Sequence, residues 1–360
     1  MLTTFDRYVV RNVLSSFLLM MMVGFGLIIL LDLLVNLDEF TDEGRVPVPV
    51  ALQIVFDYYA FKLPLYFYQL APAMLAFSAA FVLANVFRNN ELTPLLAAGV
   101  PLWRMVVPIS VCAAIVFPVM AVNREAIMPA WAAKVARKPH EATGAQLQRL
   151  RCVIDDRGAT LSAEKLDVNG GRLVAPYLIE PVGADGSIAL VQADAAEWNP
   201  NDRVWVLERG SRRVVSSGDQ QQREVEPVDH MNFPLAPDEL QLRQSAEWAD
   251  LLSTRELRKL AANRNLASHE SIMQFLILRF TEPVTNLVLL ALAIPAFLSR
   301  ERGNVITAAG KGLLWSGAFF AVTYVSRQLV DDVDTARIAA GLPIIIFGPL
   351  ALLQFMNLRT

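Results

Sequence analysis

The sequence predicts an α+β membrane protein: six transmembrane helices (3+3) with an inserted extracytoplasmic antiparallel β-jelly-roll-like domain. Three observations predict it. Hydrophobic residues make up 54% of the 360 positions and charged residues only 19%, against about 25% charge in an ordinary soluble domain. The charge is segregated, because residues 124–270 hold 41 of the 67 charged side chains. That polar block also reads as short strands. The net charge is only −3, with no basic tail, which argues against a nucleic-acid binder and a wholly disordered chain.

Charge-free runs place the spans, since a helix needs about 20 mostly apolar residues to cross the hydrocarbon core. The first three lie between Arg11 and Asp32 (20 residues), Lys62 and Arg88 (25), and Arg104 and Arg124 (19). The last three lie between Glu282 and Arg300 (17), Lys311 and Arg327 (15), and Arg337 and Arg359 (21). The fourth and fifth are short by this count. They are expected to extend past Arg279, Glu282 and Arg327, which puts ionisable groups at membrane depth. The first run is too long for a signal-peptide core and reads as a retained anchor. All six are expected to be helices, which satisfy their own backbone in lipid.

Lys and Arg mark the cytoplasmic loops. Arg7, Arg11, Arg88, Arg104, Arg300, Arg302, Lys311 and Arg359 fall on one set of termini and turns. The opposite loops are acidic, with Asp38, Glu39, Asp42 and Glu43 in one and Asp331, Asp332 and Asp334 in the other. Both termini are therefore expected in the cytoplasm of a multi-pass inner-membrane protein, and residues ~124–270 in the periplasm. The organisation expected is residues 1–123 with the first three spans, 124–270 as the β domain with flanking helices, and 271–360 with the last three. Cys112 and Cys152 are expected too far apart to pair.

Within the polar block, a helix is expected to leave the bilayer over 124–138. Strands are expected over 151–155, 160–167, 172–181, 188–198, 204–209 and 212–215, with one more near 224–232. Asn169-Gly170-Gly171, Asp185-Gly186 and Asn199-Pro200-Asn201-Asp202 punctuate them as turns. Seven closely spaced strands suggest an antiparallel sandwich or jelly-roll. Ser253 and Glu256 fit a capping box opening a final helix.

Enzymatic motifs are missing. His140, His230 and His269 are scattered, and no nucleophile-elbow serine occurs. Ala309-Gly310-Lys311-Gly312 fails as a phosphate loop, because Gly312 stands where Ser or Thr is required. No cofactor is expected on this chain, and any ATP is used by a partner subunit.

The turn from Arg88 to Pro101 reads as a short helix, residues 90–99, along the inner membrane surface. Asn90 can cap it, Glu91 supplies its carboxylate, Leu92 and Leu95 an apolar face, and Gly99 its end. It is either a docking element for a partner or a capped connector.

Taken together, these segments resemble the LptF/LptG permease family of the lipopolysaccharide export machine. The resemblance runs over nearly the whole chain. It is carried by Asp6-Arg7-Tyr8, by Asn90-Glu91-Leu92-Thr93 through Ala97-Ala98-Gly99, and by Arg279-Phe280-Thr281-Glu282-Pro283 with its apolar run to Ile294-Pro295. Gly341-Leu342-Pro343 also resembles the family, as does the 3+3 arrangement around one β block. The resemblance implies a permease subunit of an ATP-driven lipopolysaccharide exporter, not an enzyme. It implies four partners: a cytoplasmic ABC ATPase dimer, a second LptF/LptG-type permease, periplasmic jelly-roll bridge proteins and the lipid. Asn90, Glu91, Leu92, Leu95 and Gly99 would then couple to the ATPase, and spans one and five would line lateral gates. One departure is the acidic outer end of the first span, at Asp32, Asp38 and Glu39, where family members often carry basic residues.

Four basic residues near the outer boundary are candidate lipid head-group ligands: Lys62, Arg124, Arg279 and Arg327. Intramembrane charge is costly and marks function, and the Arg fork suits phosphate. The competing readings are local. Arg279 can neutralise Glu282 on one helix face, Lys62 can snorkel, and Arg327 can pair with Asp331. The aromatic cluster around Tyr58, Tyr59, Phe61, Tyr66, Phe67 and Tyr68 reads as an interfacial belt. The alternative function is a membrane-anchored scaffold or an enzyme whose β domain carries the activity.

Overall fold

The computed structural model describes residues 4–41, 47–91, 94, 97–99, 101–136, 147–155, 157–168, 170–182, 187–215, 225–244, 248–262, 269–297, 305–330 and 332–356. In chain order its principal helices are α1 (Thr4–Thr41), α2 (Val48–Arg88), α3 (Val106–Val122), α4 (Pro237–Gln244), α5 (Thr254–Ala261), α6 (His269–Phe297), α7 (Val305–Gln328) and α8 (Val333–Met356). Among the described residues, ten strands lie between α3 and α4. The chain forms two compact units. One comprises Met1–Leu34, Leu63–Ile127 and Met273–Thr360, and the other Val35–Lys62 with Met128–Ile272.

Among the described residues, five helical stretches are long and apolar enough to cross a membrane: Thr4–Leu37, Pro49–Val86, Val106–Ala130, His269–Pro295 and Val333–Met356. The remaining predicted span, between Lys311 and Arg327, falls on α7, which is not among these five although its 24 residues reach about 36 Å at 1.5 Å per residue. The helices overrun the charge-free runs, because backbone hydrogen bonding continues where charged side chains begin to reach water.

The helical unit has one apolar core. Val9, Val13, Phe17 and Met21 on α1 recur every four residues and are buried against Leu75 and Leu83 of α2, Ile109 and Val116 of α3, Leu292 of α6 and Phe347 of α8. The outer faces are equally apolar, with Leu18 67% and Met22 74% exposed. A helix that is apolar all round belongs in hydrocarbon. Asn36 (φ −109°, ψ 17°) interrupts α1 near its end. Before α8, Asp332 Oδ1 accepts the Thr335 N–H at 2.7 Å and the Asp332 N–H donates to Thr335 Oγ1 at 2.9 Å. The Thr335 N–H, and after it the Thr335 hydroxyl, donate to the Asp332 carboxylate and hold its pKa below the usual Asp range.

In the other unit the strands are β1 (Leu147–Ile154), β2 (Thr160–Asp167), β3 (Arg172–Val174), β4 (Tyr177–Pro181), β5 (Ile188–Gln192), β6 (Ala195–Asn199), β7 (Val204–Glu208), β8 (Ser211–Val215), β9 (Glu226–Pro227) and β10 (His230–Met231). All pair antiparallel. The sheet order is β10-β7-β6-β3-β2-β4-β5-β8-β9, with β1 on the other edge of β2. The expected strands 172–181 and 188–198 are each bent in two, giving β3/β4 and β5/β6. The expected strands 204–209 and 212–215 are the two arms of one bent ribbon, β7/β8.

The bends share one line. Ala175 N donates to Asp194 O at 2.9 Å, Asp194 N to Glu208 O at 3.1 Å, and Val228 N to Gly210 O at 3.0 Å. Ala175 (φ 49°) and Arg209 (φ 55°) adopt left-handed backbone at two of these corners. Gly210 is required by closeness, since a Cβ there would lie 2.1 Å from the Val228 carbonyl oxygen. β2 crosses the line unbroken. Its first residues pair with β4 and its last with β3. The sheet thus folds into two leaves around Leu161, Leu166, Leu173, Leu178, Trp205 and Phe233. Trp205 is fully buried and satisfies its indole N–H on the Leu235 carbonyl at 3.2 Å.

The predicted turn Asn199-Pro200-Asn201-Asp202 is formed, and Gly170-Gly171 form part of another, whose Asn169 lies outside the described residues. Gly170 N donates to Asp167 Oδ1 at 2.9 Å, and Asn201 N donates to Asn199 Oδ1 at 3.0 Å. Asp185-Gly186 lies outside the described residues. The Ser253–Glu256 capping box is formed, with Glu256 N on Ser253 Oγ at 3.2 Å and Ser253 N on Glu256 Oε2 at 2.8 Å.

Candidate functional site

The turn after α2 begins with a correction. Asn90 does not cap the next helix; it closes the one before. Its φ is 56°, whereas an N-cap residue takes extended backbone. Glu91 N donates to Val86 O at 3.1 Å and Asn89 N to Asn85 O at 2.9 Å. The first of these is the six-to-one bond of a Schellman turn. Asn serves because its short polar side chain tolerates the left-handed region. Glu91 follows directly, with Oε1 taking long contacts of 3.4 Å from Tyr8 Oη and Asn89 Nδ2. Pro94 and Ala97 are helical, Ala98 N donates to Pro94 O at 3.0 Å, and Gly99 (φ 77°) ends the turn. Pro94, Ala97, Ala98 and Gly99 are exposed. Leu92 and Leu95 lie outside the described residues.

The second place is an ion cluster inside the helical unit. A π-turn, Asn123–Ile127, follows α3 and is tied to α2 by Asn123 Nδ2 donating to Pro64 O at 2.8 Å. The wider turn carries Arg124, whose Nη1 lies 2.7 Å from Glu282 Oε2 of α6. Tyr68 of α2 donates its hydroxyl to the same oxygen. The Arg124 guanidinium also stands 4.6 Å from the Tyr68 ring centre, a cation–π contact. Arg327 at the end of α7 reaches Glu282 Oε1 at 3.8 Å. Among the described residues two guanidiniums thus meet one carboxylate, a surplus of positive charge. Arg124 Nε is buried without an acceptor. Arg279, one turn before Glu282 on α6, is 6% exposed.

The four sequence-predicted cations are therefore not one set. Arg124 and Arg327 converge on Glu282. Lys62 belongs to the other unit, where its Nζ donates to Tyr58 Oη and stands 4.4 Å from that ring centre. There Tyr58 and Tyr59 are buried around Phe40, at 5.1 Å and 6.0 Å between ring centres. The alternative partner of Arg327, Asp331, lies outside the described residues. Sequence reasoning missed Glu282 as the organiser and Tyr68 as its donor. The usable signal was an acid at membrane depth, which demands a base. Among the described residues, no group of three His, Cys, Asp or Glu side chains could hold a metal ion.

The family profile for the lipopolysaccharide export system permease LptF/LptG matches residues 7–357. The chain belongs to the LptF/LptG family. It is a transporter permease, not an enzyme, and an inner-membrane multi-pass protein. No curated protein matches it. For an LptF/LptG permease, the family match spans both the helical unit that carries Glu282 and the turn that carries Glu91.

Proposed function

We propose that this permease is one half of an ATP-driven exporter that extracts lipopolysaccharide, or a related anionic glycolipid, from the inner membrane. A second LptF/LptG-type permease pairs with it, and a cytoplasmic ABC ATPase dimer hydrolyses the ATP. Both termini lie in the cytoplasm, and the folded sheet, within residues ~124–270, lies in the periplasm and hands the lipid to a jelly-roll bridge. The ATPase docks on Asn90, Glu91, Leu92, Leu95 and Gly99. The observation that carries this reading is the family match over residues 7–357.

The ion cluster supports the lipid half of the reading. Arg124 and Arg327 bring more positive charge than Glu282 neutralises, and Arg suits phosphate because its fork donates two hydrogen bonds at once. Arg124, Arg327 and Arg279 thus form the head-group site of the helical unit, and Lys62, in the other unit, is a separate head-group contact. Tyr8 beside Glu91 supports the docking half, since it gives the carboxylate a neighbour on α1.

Two experiments test it. The chain, purified from its own membrane, is expected to bring down an ATPase whose activity rises with lipopolysaccharide; copurification without one overturns the reading. In a background lacking Cys112 and Cys152, a membrane-impermeant thiol reagent added outside is expected to label Asn201→Cys and spare Asn90→Cys. Labelling of both from one side removes the proposed route.

A further inference from the structure

Inside the fold of the sheet lies a cavity of about 350 Å³, a size typical of small-molecule sites. Its polar lining is Asp155, Arg157, Glu180, Arg212, His230 and Asn232. Asp155 closes the β1–β2 hairpin. Its Oδ1 accepts the Arg157 and Ala159 N–H groups, both at 2.8 Å. The residue is 1% exposed, yet its other oxygen, Oδ2, is buried without a hydrogen bond. Arg157 Nε pairs with Oδ2 only at 3.9 Å, from a side chain that is 58% exposed. Across the cavity, Arg212 Nε is likewise buried without an acceptor.

A buried ionised oxygen without a donor is expensive, and so is a buried guanidinium N–H without an acceptor. The two have opposite needs in one cavity. A lone cation would meet Arg157 and Arg212, and a lone anion would meet Asp155 and Glu180. A sugar would lack an aromatic floor, since the lining holds no Phe, Tyr or Trp. The complement of both groups is a small molecule with an ammonium at one end and an oxyanion at the other.

We propose that this cavity binds a compact zwitterion of the phosphoethanolamine class, its ammonium on Asp155 Oδ2 beside Glu180 and its phosphate on Arg212. Arg157 spans the rim, where its Nη2 donates to Asn232 Oδ1 at 3.3 Å. Burial pushes the Glu180 carboxyl above its ordinary value, against the pull of Arg212 and Arg157, and an arriving ammonium favours its ionised form. The site is independent of the exporter reading. The zwitterion has two sources, a free solute or the head group of a membrane lipid.

The full chain in detergent is titrated calorimetrically with O-phosphoethanolamine, ethanolamine and inorganic phosphate, and separately with micelles doped with lysophosphatidylethanolamine. Saturable binding of the free zwitterion, tighter than either half-molecule, is expected; binding only from the doped micelles assigns the lipid head group. Asp155→Asn keeps the Oδ1 acceptor and Arg212→Gln leaves the strand intact. Each is expected to weaken binding by roughly tenfold to a hundredfold, the worth of a charged hydrogen bond. Glu180→Gln gives a third reading should Asp155→Asn fail to fold. No saturable binding, phosphate binding as tightly as the zwitterion, or unchanged affinity in Arg212→Gln overturns the proposal.

Discussion

Arg124 Nη1 stands 2.7 Å from Glu282 Oε2, and the two side chains are only 11% and 18% exposed. They are 158 positions apart in the chain. The pair joins the three helices before the β domain to the three after it. Removing one member strands a charge that the other had neutralised. Glu282→Gln is therefore expected to cost about 3–5 kcal/mol, the usual penalty for breaking a buried pair. A thermal unfolding midpoint well below that of the parent, measured in detergent, checks this. The double change Arg124→Met with Glu282→Leu is expected to recover part of the loss, because the buried Arg124 charge is then gone while Arg327, 48% exposed, can turn to water.

Glu91 is partly exposed beside Tyr8, in a turn built by the left-handed Asn90. In the assembled exporter, Glu91→Lys is expected to lower coupled ATPase activity by about tenfold or more, as charge reversal at an interface does. Tyr8→Phe is expected to change it less than about twofold, since a long, exposed hydrogen bond contributes little. Equal rates for parent and Glu91→Lys would place the docking surface elsewhere.

Glu180 predicts a pH effect of definite sign. Its folded pKa is raised above the ordinary 4.5 by burial. Between those two values the folded state binds more proton than the unfolded state, so stability falls as pH rises through this window. Glu180→Gln is expected to flatten that part of the curve and leave the rest parallel. Urea midpoints measured from acid to neutral pH for both proteins decide it, and parallel curves throughout would show that burial imposes no penalty there.

Two glycines separate crowding from backbone strain. A Cβ at Gly210 meets the Val228 carbonyl oxygen at 2.1 Å and Leu207 Cβ at 2.9 Å, whereas one at Gly158 (φ 86°) meets nothing within 4 Å. Gly158→Ala is expected to cost about 1–3 kcal/mol, the penalty of a left-handed backbone alone. Gly210→Ala carries no such backbone strain but must push the Val228 carbonyl and Leu207 away, and its loss is expected to exceed that of Gly158→Ala in the same unfolding measurement.

The sequence made the helices legible through absence of charge, and blurred their ends for the same reason. Lys62 and Asp57 sit within α2 because a helix does not stop where lipid does. Strand positions were legible from Val, Ile and Leu between turn residues. The bend at Gly210 is legible as the gap between strands 204–209 and 212–215, whereas those at Ala175 and Ala193 fall inside single expected strands, where Pro176 and Asp194 are weak signals on their own. At the candidate site, Glu282 was visible as a costly charge, and short-range spacing offered Arg279 as its partner. The ion pair with Arg124 depends on a π-turn that shifts register after α3, and no pattern in residues 123–127 announces one. Asn90 is legible as a helix-end residue, but which helix it ends is not, because the same short amide suits an N-cap and a left-handed C-terminal position.

The shared line of corners across β3/β4, β5/β6 and β7/β8 has a mechanical meaning. Altering the angle between the leaves rotates torsions at those few corners and bends β2, which crosses the line unbroken with β1 beside it. Resistance to gaping then resides in the grease between the leaves, chiefly Leu166, Leu173 and Trp205, while the rungs of each leaf keep their registry. Such a clasp yields in width and holds firm in length.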